Sequence, residues 1–342
     1  YLYAVPSAVV ASRYVQKTYS EGAYLHGDYA LTDAFKVVAG ARYSRDRRSY
    51  EGGSIDVDGA FGPKAQYLAF LDDSKAESHV SGTAGVEYTP LEHWLFYGTL
   101  STSYKAGIFY TAPALAQASL AYVAPEQVRA GEIGFKASPS KAFEIDGALY
   151  EYRYRDRQSL VLVSVADTII ATLGSVPRSK VSGGELQLKW LPPIHGLEIG
   201  AGMSHIDSEV TASPANVRGL PLVAPIDRGD VLPQSPRWSF NEIVRYEWAL
   251  RDNLRAFAQL KYSRATRQLA ALADPNAEYG PTSDLGLRFW LEPADGKWRT
   301  SFWIENAEDN RTINYAFSNT DGSRVIYRPQ PRNAGVEFTY RF

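Results

Sequence analysis

The side chains able to do covalent chemistry crowd together in "SHID", where Ser204, His205 and Asp207 bring a hydroxyl, an imidazole and a carboxylate side by side. Those are the groups of a hydrolytic triad, but a triad is assembled in space, and neighbours on an extended chain point to opposite faces. A hydrolase using Ser204, or another serine, with His205 is kept as a third alternative. The other histidines, His26, His79, His93 and His195, lack the paired spacing of a metal-binding motif, and the chain has no cysteine. Asp72 and Asp73 are read as solvated loop charges. No glycine-rich phosphate loop is complete. The sequence predicts a non-enzyme that carries neither metal nor cofactor.

Residues suited to holding a ligand are easier to find. Tyr104, Lys105, Phe109 and Tyr110 form an aromatic and cationic group at the end of one predicted strand, and Tyr315, Phe317 and Tyr327 recur in the last long connection. Aromatic rings stack on catecholates or sugars, and a lysine holds an anionic chelate. Tyr104 also fits a second role, as one ring of an interfacial aromatic belt.

The elements that must carry these residues are strands. Phe35, Val37, Ala39, Ala41 and Tyr43 alternate with Lys36, Val38, Gly40, Arg42 and Ser44, and Leu254 to Tyr262 repeats the division. The same period-two pattern defines thirteen strands, a series that begins and ends in the same direction, so an antiparallel barrel needs one more strand to close, and residues 1–13 are expected to supply it as a fourteenth. Short connections, at 31–34, 89–93, 138–141, 191–195, 249–253 and 293–297, alternate with long ones near 51–75, 106–125, 159–180, 208–236, 266–283 and 307–332. Connections that long are uncommon in compact soluble domains. The end of the chain, Val336, Phe338, Tyr340 and Phe342, keeps large apolar groups on one side. No run of apolar residues is long enough for a membrane helix, and a net charge of -2 gives no reason to expect nucleic acid as a partner. The pattern predicts an all-β, antiparallel transmembrane barrel, with short periplasmic turns and long extracellular loops. A large soluble sandwich or propeller is the alternative.

Several blocks, in order, resemble one family. "STSYKAGIFY", "VSGGELQLKWLPPIHGLEIGAGMSHIDSE", "LPQSPRWSFN", "FWIENAEDN" and "PRNAGVEFTYRF" are similar to consecutive segments of TonB-dependent outer-membrane receptors. The resemblance implies a barrel of about 22 strands filled by an N-terminal plug, which carries a short motif for an energy-transducing TonB complex. Residues 1–342 would be the C-terminal part of that barrel, with plug, motif and first strands lying outside the sequence. It further implies a bacterial outer-membrane location and active uptake of a bulky scarce nutrient, above all a ferric siderophore. A passive porin is the alternative, and an outer-membrane hydrolase the third. The ending is similar to the signal read by the barrel assembly machinery, through Gly335, Phe338, Tyr340 and Phe342.

One further spacing concerns lipid. Counted from the first apolar residue after a short turn, Arg45, Arg153 and Arg264 sit where a tilted strand leaves the apolar band, and Arg47, Arg155 and Arg157 continue that face. They are expected to face outward and to pair with lipopolysaccharide phosphates.

Overall fold

A computed structural model describes residues 2–5, 8–111, 114–165 and 167–342. One antiparallel sheet of fourteen strands dominates it, each strand pairing with the next in the chain. They are β1 (Leu2–Val5), β2 (Ala8–Ala30), β3 (Phe35–Asp56), β4 (Gln66–Leu91), β5 (Trp94–Lys105), β6 (Glu126–Ser140) and β7 (Phe143–Val165). The series continues with β8 (Thr168–Trp190), β9 (Leu197–Ala212), β10 (Trp238–Arg251), β11 (Leu254–Ala265), β12 (Thr282–Pro293), β13 (Trp298–Glu305) and β14 (Asn333–Tyr340).

The alternating residues set the register, since a slip of one position would turn every apolar side chain to the other face. Phe35 therefore faces Tyr88, Val37 faces Val86 and Ala39 faces Ala84 across β3 and β4. Cross-strand pairs of this kind are what stabilise a sheet. The apolar face is left open, with Leu25 at 80% exposure, Leu100 at 70% and Val336 at 73%. On the polar face near the short turns, Phe257 stacks flat on Trp290 at 4.7 Å, and Arg245 lies 5.3 Å from that indole. Arg299 grips Glu292 beside them, its Nε donating at 2.8 Å.

The strands run further than the alternation alone suggests. The long connections expected at 51–75 and 159–180 are mostly hairpin: β3 reaches Asp56, β4 starts at Gln66, and β7 and β8 nearly meet at Val165 and Thr168. The β-branched and polar residues there satisfy their backbone groups by continuing the ladder. The fourteenth strand is also shorter than 1–13: Leu2–Val5 pairs with Ala8–Ala11, and the rest belongs to β2. Among the described residues, β14 has no partner on its far side, and the Glu21–Ala30 part of β2 pairs only with β3. The sheet is not a closed barrel.

Three apolar clusters sit at the long-connection end. Val161, Val163 and Val176 from the β7/β8 hairpin bury against Val217, Leu220 and Ile226 of the connection after β9, and against Leu272. Tyr50 and Ala69 close on Phe109, Ala114 and Leu120. Ala270, Ala277 and Tyr279 pack on Ala316. These connections are therefore packed structure, folded by the same apolar burial as a protein core.

Candidate functional site

The site is the mouth formed where the long connections fold back on the polar face. It begins at a separation of two strands. β5 pairs with β4 only as far as Gly82 and Thr102, then continues with β6 alone to Lys105 and Glu126. Freed on one side, the tip of β5 turns Tyr104 inward, its ring 4.4 Å from that of His79 and its hydroxyl donating to Asp46. Asp46 is buried and also accepts from Ser20. Tyr104 thus leaves the apolar alternation of its strand and is not part of an outward aromatic belt.

Glu77, one further polar-face position along β4, receives the backbone N–H of Gly107 and the hydroxyl of Tyr122, each at 2.8 Å. A side chain at Gly107 would put its Cβ 2.3 Å from the Tyr122 hydroxyl, so this close approach requires glycine. Burial, and then the Glu77 carboxylate, push the Tyr122 phenol well above the usual tyrosine range. Phe109 lies in the same fold, fully buried between Tyr50 and Tyr122 at 5.6 and 4.9 Å. It belongs to the core of the mouth and offers no open surface to a ligand. Lys105 is exposed and Tyr110 half-buried.

The second aromatic group is brought together in space. Tyr315–Ser318 and Arg324–Tyr327 form a small ribbon in the last connection, with Tyr315 opposite Tyr327. Phe317 stacks near-parallel on Tyr327 at 6.2 Å, and Tyr315 rests on Tyr279 at 5.6 Å. The ribbon is anchored by Asp274, which accepts from the Ser318 N–H at 2.9 Å and the Ser318 hydroxyl at 2.6 Å. Arg324 adds donations to the carbonyls of Asn276 and Glu278 at 3.2 and 2.6 Å. Tyr327 keeps 54% of its surface open. Tyr67 and Phe70, in edge contact at 5.0 Å and both exposed, form a further aromatic pair. They escape the sequence reading because 51–75 looks like loop; aromatic residues two to three apart in a polar stretch are the available signal.

Arg218 ties three elements. Its guanidinium donates to the Ala118 and Leu173 carbonyls at 3.0 and 2.7 Å and to the Thr172 hydroxyl at 2.7 Å. Among the described residues no carboxylate pairs with it, and burial pulls its proton affinity below the arginine norm. Nothing in the spacing of the sequence marks this residue.

The outward arginines divide. Arg45, Arg47, Arg153, Arg155 and Arg264 are exposed. Arg157 is drawn onto the Tyr154 ring at 4.7 Å, following Asp156, whose φ of 52° interrupts the alternation, so it does not continue the outward row. At the chain end Phe338, Tyr340 and Phe342 lie open on the apolar face, whereas Gly335 sits on the polar face beneath the Trp303 indole. His205 packs its ring on Trp238 at 4.5 Å, while Ser204 pairs across to Glu185 and Ser239 on the opposite face. The triad geometry is not formed.

A long-stranded antiparallel sheet, apolar on one face and polar on the other, with packed connections gathered at one end, has the pattern of part of a transmembrane β-barrel. The chain belongs to the TonB dependent receptor-like β-barrel family, whose model matches residues 2–307. Solved structures agree on the fold. The ferric yersiniabactin uptake receptor FyuA from Yersinia pestis superposes with a TM-score of 0.79 at 18% identity, over 98% of this chain and 48% of its own. The siderophore receptor PiuA from Acinetobacter baumannii gives 0.70 at 17%, over 95% of this chain and 43% of its own. The copper transporter OprC gives 0.70 at 12%, over 95% and 48%. The chain spans about half the length of these receptors. No curated protein matches it.

Proposed function

We propose that this chain is the C-terminal part of a bacterial outer-membrane receptor for active uptake of a bulky scarce nutrient, a ferric siderophore chelate. Its apolar face meets lipid, and its long connections form the extracellular mouth. Energy would reach it from the TonB complex through a plug lying outside these residues, and the barrel assembly machinery would read its last strand.

One observation carries the ligand assignment: the Phe317 and Tyr327 pair, stacked and held by Asp274 and Arg324, presents an open aromatic surface at the mouth. A rigid aromatic face binds planar catecholate or heteroaromatic chelators at low entropic cost. Lys105, exposed at the tip of β5, supplies a cation for an anionic chelate. The inward fold of 106–125 onto Glu77 is the feature that a passive porin would use as a constriction. Iron uptake distinguishes the two. Cells expressing the full-length receptor should import labelled ferric chelate at nanomolar supply only when TonB is functional. Import that persists without TonB and never saturates supports the porin. Binding titrations with ferric catecholate, ferric hydroxamate, ferric citrate, a copper complex and cobalamin then identify the class, and a null result for every ferric chelate removes the siderophore assignment.

A further inference from the structure

On the apolar face, the end of the sheet nearest the mouth carries a concentration of positive charge that the outward arginine spacing only partly anticipates. Arg129 on β6 is level with Arg153 on β7, and Arg153 with Lys180 on β8. In the next row Arg155 faces Arg178. Five cations thus occupy two rows of three adjacent strands, a patch about 10 Å across by about 7 Å high from strand spacing and rise. Glu151 is bonded within it, to Arg153 at 2.7 Å and Lys180 at 2.9 Å. Glu209 lies across from Lys180 on β9. Arg129, Arg155 and Arg178 form no ion pair among the described residues. A hollow of about 630 Å³ opens between these side chains.

Toward the short-turn end a second hollow, a trough of about 850 Å³, runs across β3 to β7 and shares β6 and β7 with the patch. Leu100, Ile133 and Leu149, each more than half exposed, wall it. Its floor is low because Gly98 and Gly131 have no side chains; a Cβ built at Gly98 meets nothing nearer than 3.6 Å. The two hollows adjoin where Gly131 and Glu151 pair, one row from Arg129 and Arg153. An elongated apolar groove that ends in uncompensated cations matches a molecule with an acyl chain and an anionic head.

We propose that this surface holds one diphosphorylated acyl glycolipid of the outer leaflet, with a chain in the trough and its phosphates on Arg129, Arg153, Arg155, Arg178 and Lys180. The charge favours two phosphates. Five cations less Glu151 and Glu209 leave three, and a phosphate monoester carries about -1.5 to -2 at neutral pH, so one phosphodiester leaves most of the patch unpaired. Four of the five are arginines, which grip phosphate bidentately. Depth agrees: Arg153 is ten positions from Phe143 at the short turn, and about ten tilted residues cross the hydrocarbon. Arg45 is three strands away and Arg264 is on β11, so both stand outside this patch.

The assignment rests on the reading of the apolar face as lipid-facing, and it does not depend on which nutrient is carried. The test is native mass spectrometry of the full-length receptor, delipidated and offered diphosphoryl lipid A, monophosphoryl lipid A or phosphatidylglycerol, with chelate binding measured on the same samples. One diphosphoryl lipid A should be retained, and the other two should be held at least about tenfold more weakly. The R129Q/R153Q/R178Q receptor should lose that preference, and Gly131→Leu, which fills the trough, should lower retention of lipid A. Heat-modifiable migration on gels confirms that each variant is folded. Unchanged retention in both variants overturns the proposal, as does equal retention of phosphatidylglycerol. So does displacement by millimolar inorganic phosphate, which would make the patch a simple anion site. Loss of chelate binding with lipid retained would count against the proposed nutrient alone.

Discussion

The Tyr122 hydroxyl donates to the Glu77 carboxylate across 2.8 Å, and that bond, with the Gly107 amide on the same carboxylate, fastens the two ends of the connection after β5 to the polar face of β4. A charge-assisted bond of this kind contributes about 2 kcal/mol. Tyr122→Phe should therefore raise hydrogen exchange in this segment and leave β2, β3 and β4 protected. The phenol is held above its usual range by burial and by Glu77. Its protonated form is favoured when folded, so the contribution is complete below about pH 10 and disappears as pH climbs through the raised value. Alkaline titration followed by exchange should show 106–125 detaching in that window, and at lower pH in Glu77→Gln. If the segment stays protected in both variants, the apolar cluster around Phe109 holds it alone.

That cluster supplies a contrast. Phe109 is fully buried, while Tyr327 is half open and stacked with Phe317. Phe109→Ala should cost about 3 kcal/mol of local packing and loosen the mouth. Phe317→Ala with Tyr327→Ala should instead weaken ferric chelate binding about tenfold or more, with exchange in 106–125 unaltered. Calorimetric titration and exchange on the same preparations separate the two. Chelate affinity that follows Phe109 and ignores the stacked pair would move the binding surface away from the last connection.

Much of this architecture was legible in the sequence, because period-two alternation is imposed by backbone geometry on any strand between unlike environments. Tyr43 and Tyr262 end their apolar rows as their spacing requires, and the exposed Phe338 and Tyr340 do the same at the chain end. The site was less legible. Tyr104 has the parity of an outward residue and points inward, because β5 parts from β4 at Thr102, and no local pattern encodes that parting. Phe109 reads as an open loop aromatic, yet it is buried by Leu120 of its own connection and by Tyr50, which lies far earlier in the chain on β3. Arg157 keeps the outward spacing but follows Asp156, whose left-handed backbone redirects it to Tyr154. Alternation specifies faces; which connection folds onto which face is set by tertiary packing.

Arg218 is one such tertiary contact. It donates to the Ala118 carbonyl in one connection and to the Leu173 carbonyl and Thr172 hydroxyl on β8. Arg218→Ala strands those acceptors in a buried place, a cost of about 2 kcal/mol, and should accelerate exchange in 114–123 and 168–176 together. Arg218→Lys should restore little, since one ammonium does not span three acceptors in a plane. Simultaneous opening of both segments is the expected signature, and opening of one alone would mean that the arginine is not their common brace.

The four residues expected to mark the last strand for assembly separate into two physical roles, and this gives the final prediction. Gly335 faces Trp303, and a Cβ there would approach the indole to 2.6 Å, so Gly335→Val overpacks the polar face by about 2 kcal/mol. Phe342 is beyond the last paired residues, entirely exposed, and meets the edge of the Tyr340 ring at 5.2 Å. Its removal breaks no internal packing. Gly335→Val should therefore lower the unfolding temperature of receptor that has reached the membrane. Phe342→Asp should lower the amount that reaches it several-fold, while the assembled fraction melts as the parent does. Quantifying membrane-inserted receptor by heat-modifiable migration, and its melting in the same detergent, tests both. If Phe342→Asp lowers melting as much as Gly335→Val, the terminal phenylalanine is a structural contact, and its exposure on the apolar face is not what assembly recognises.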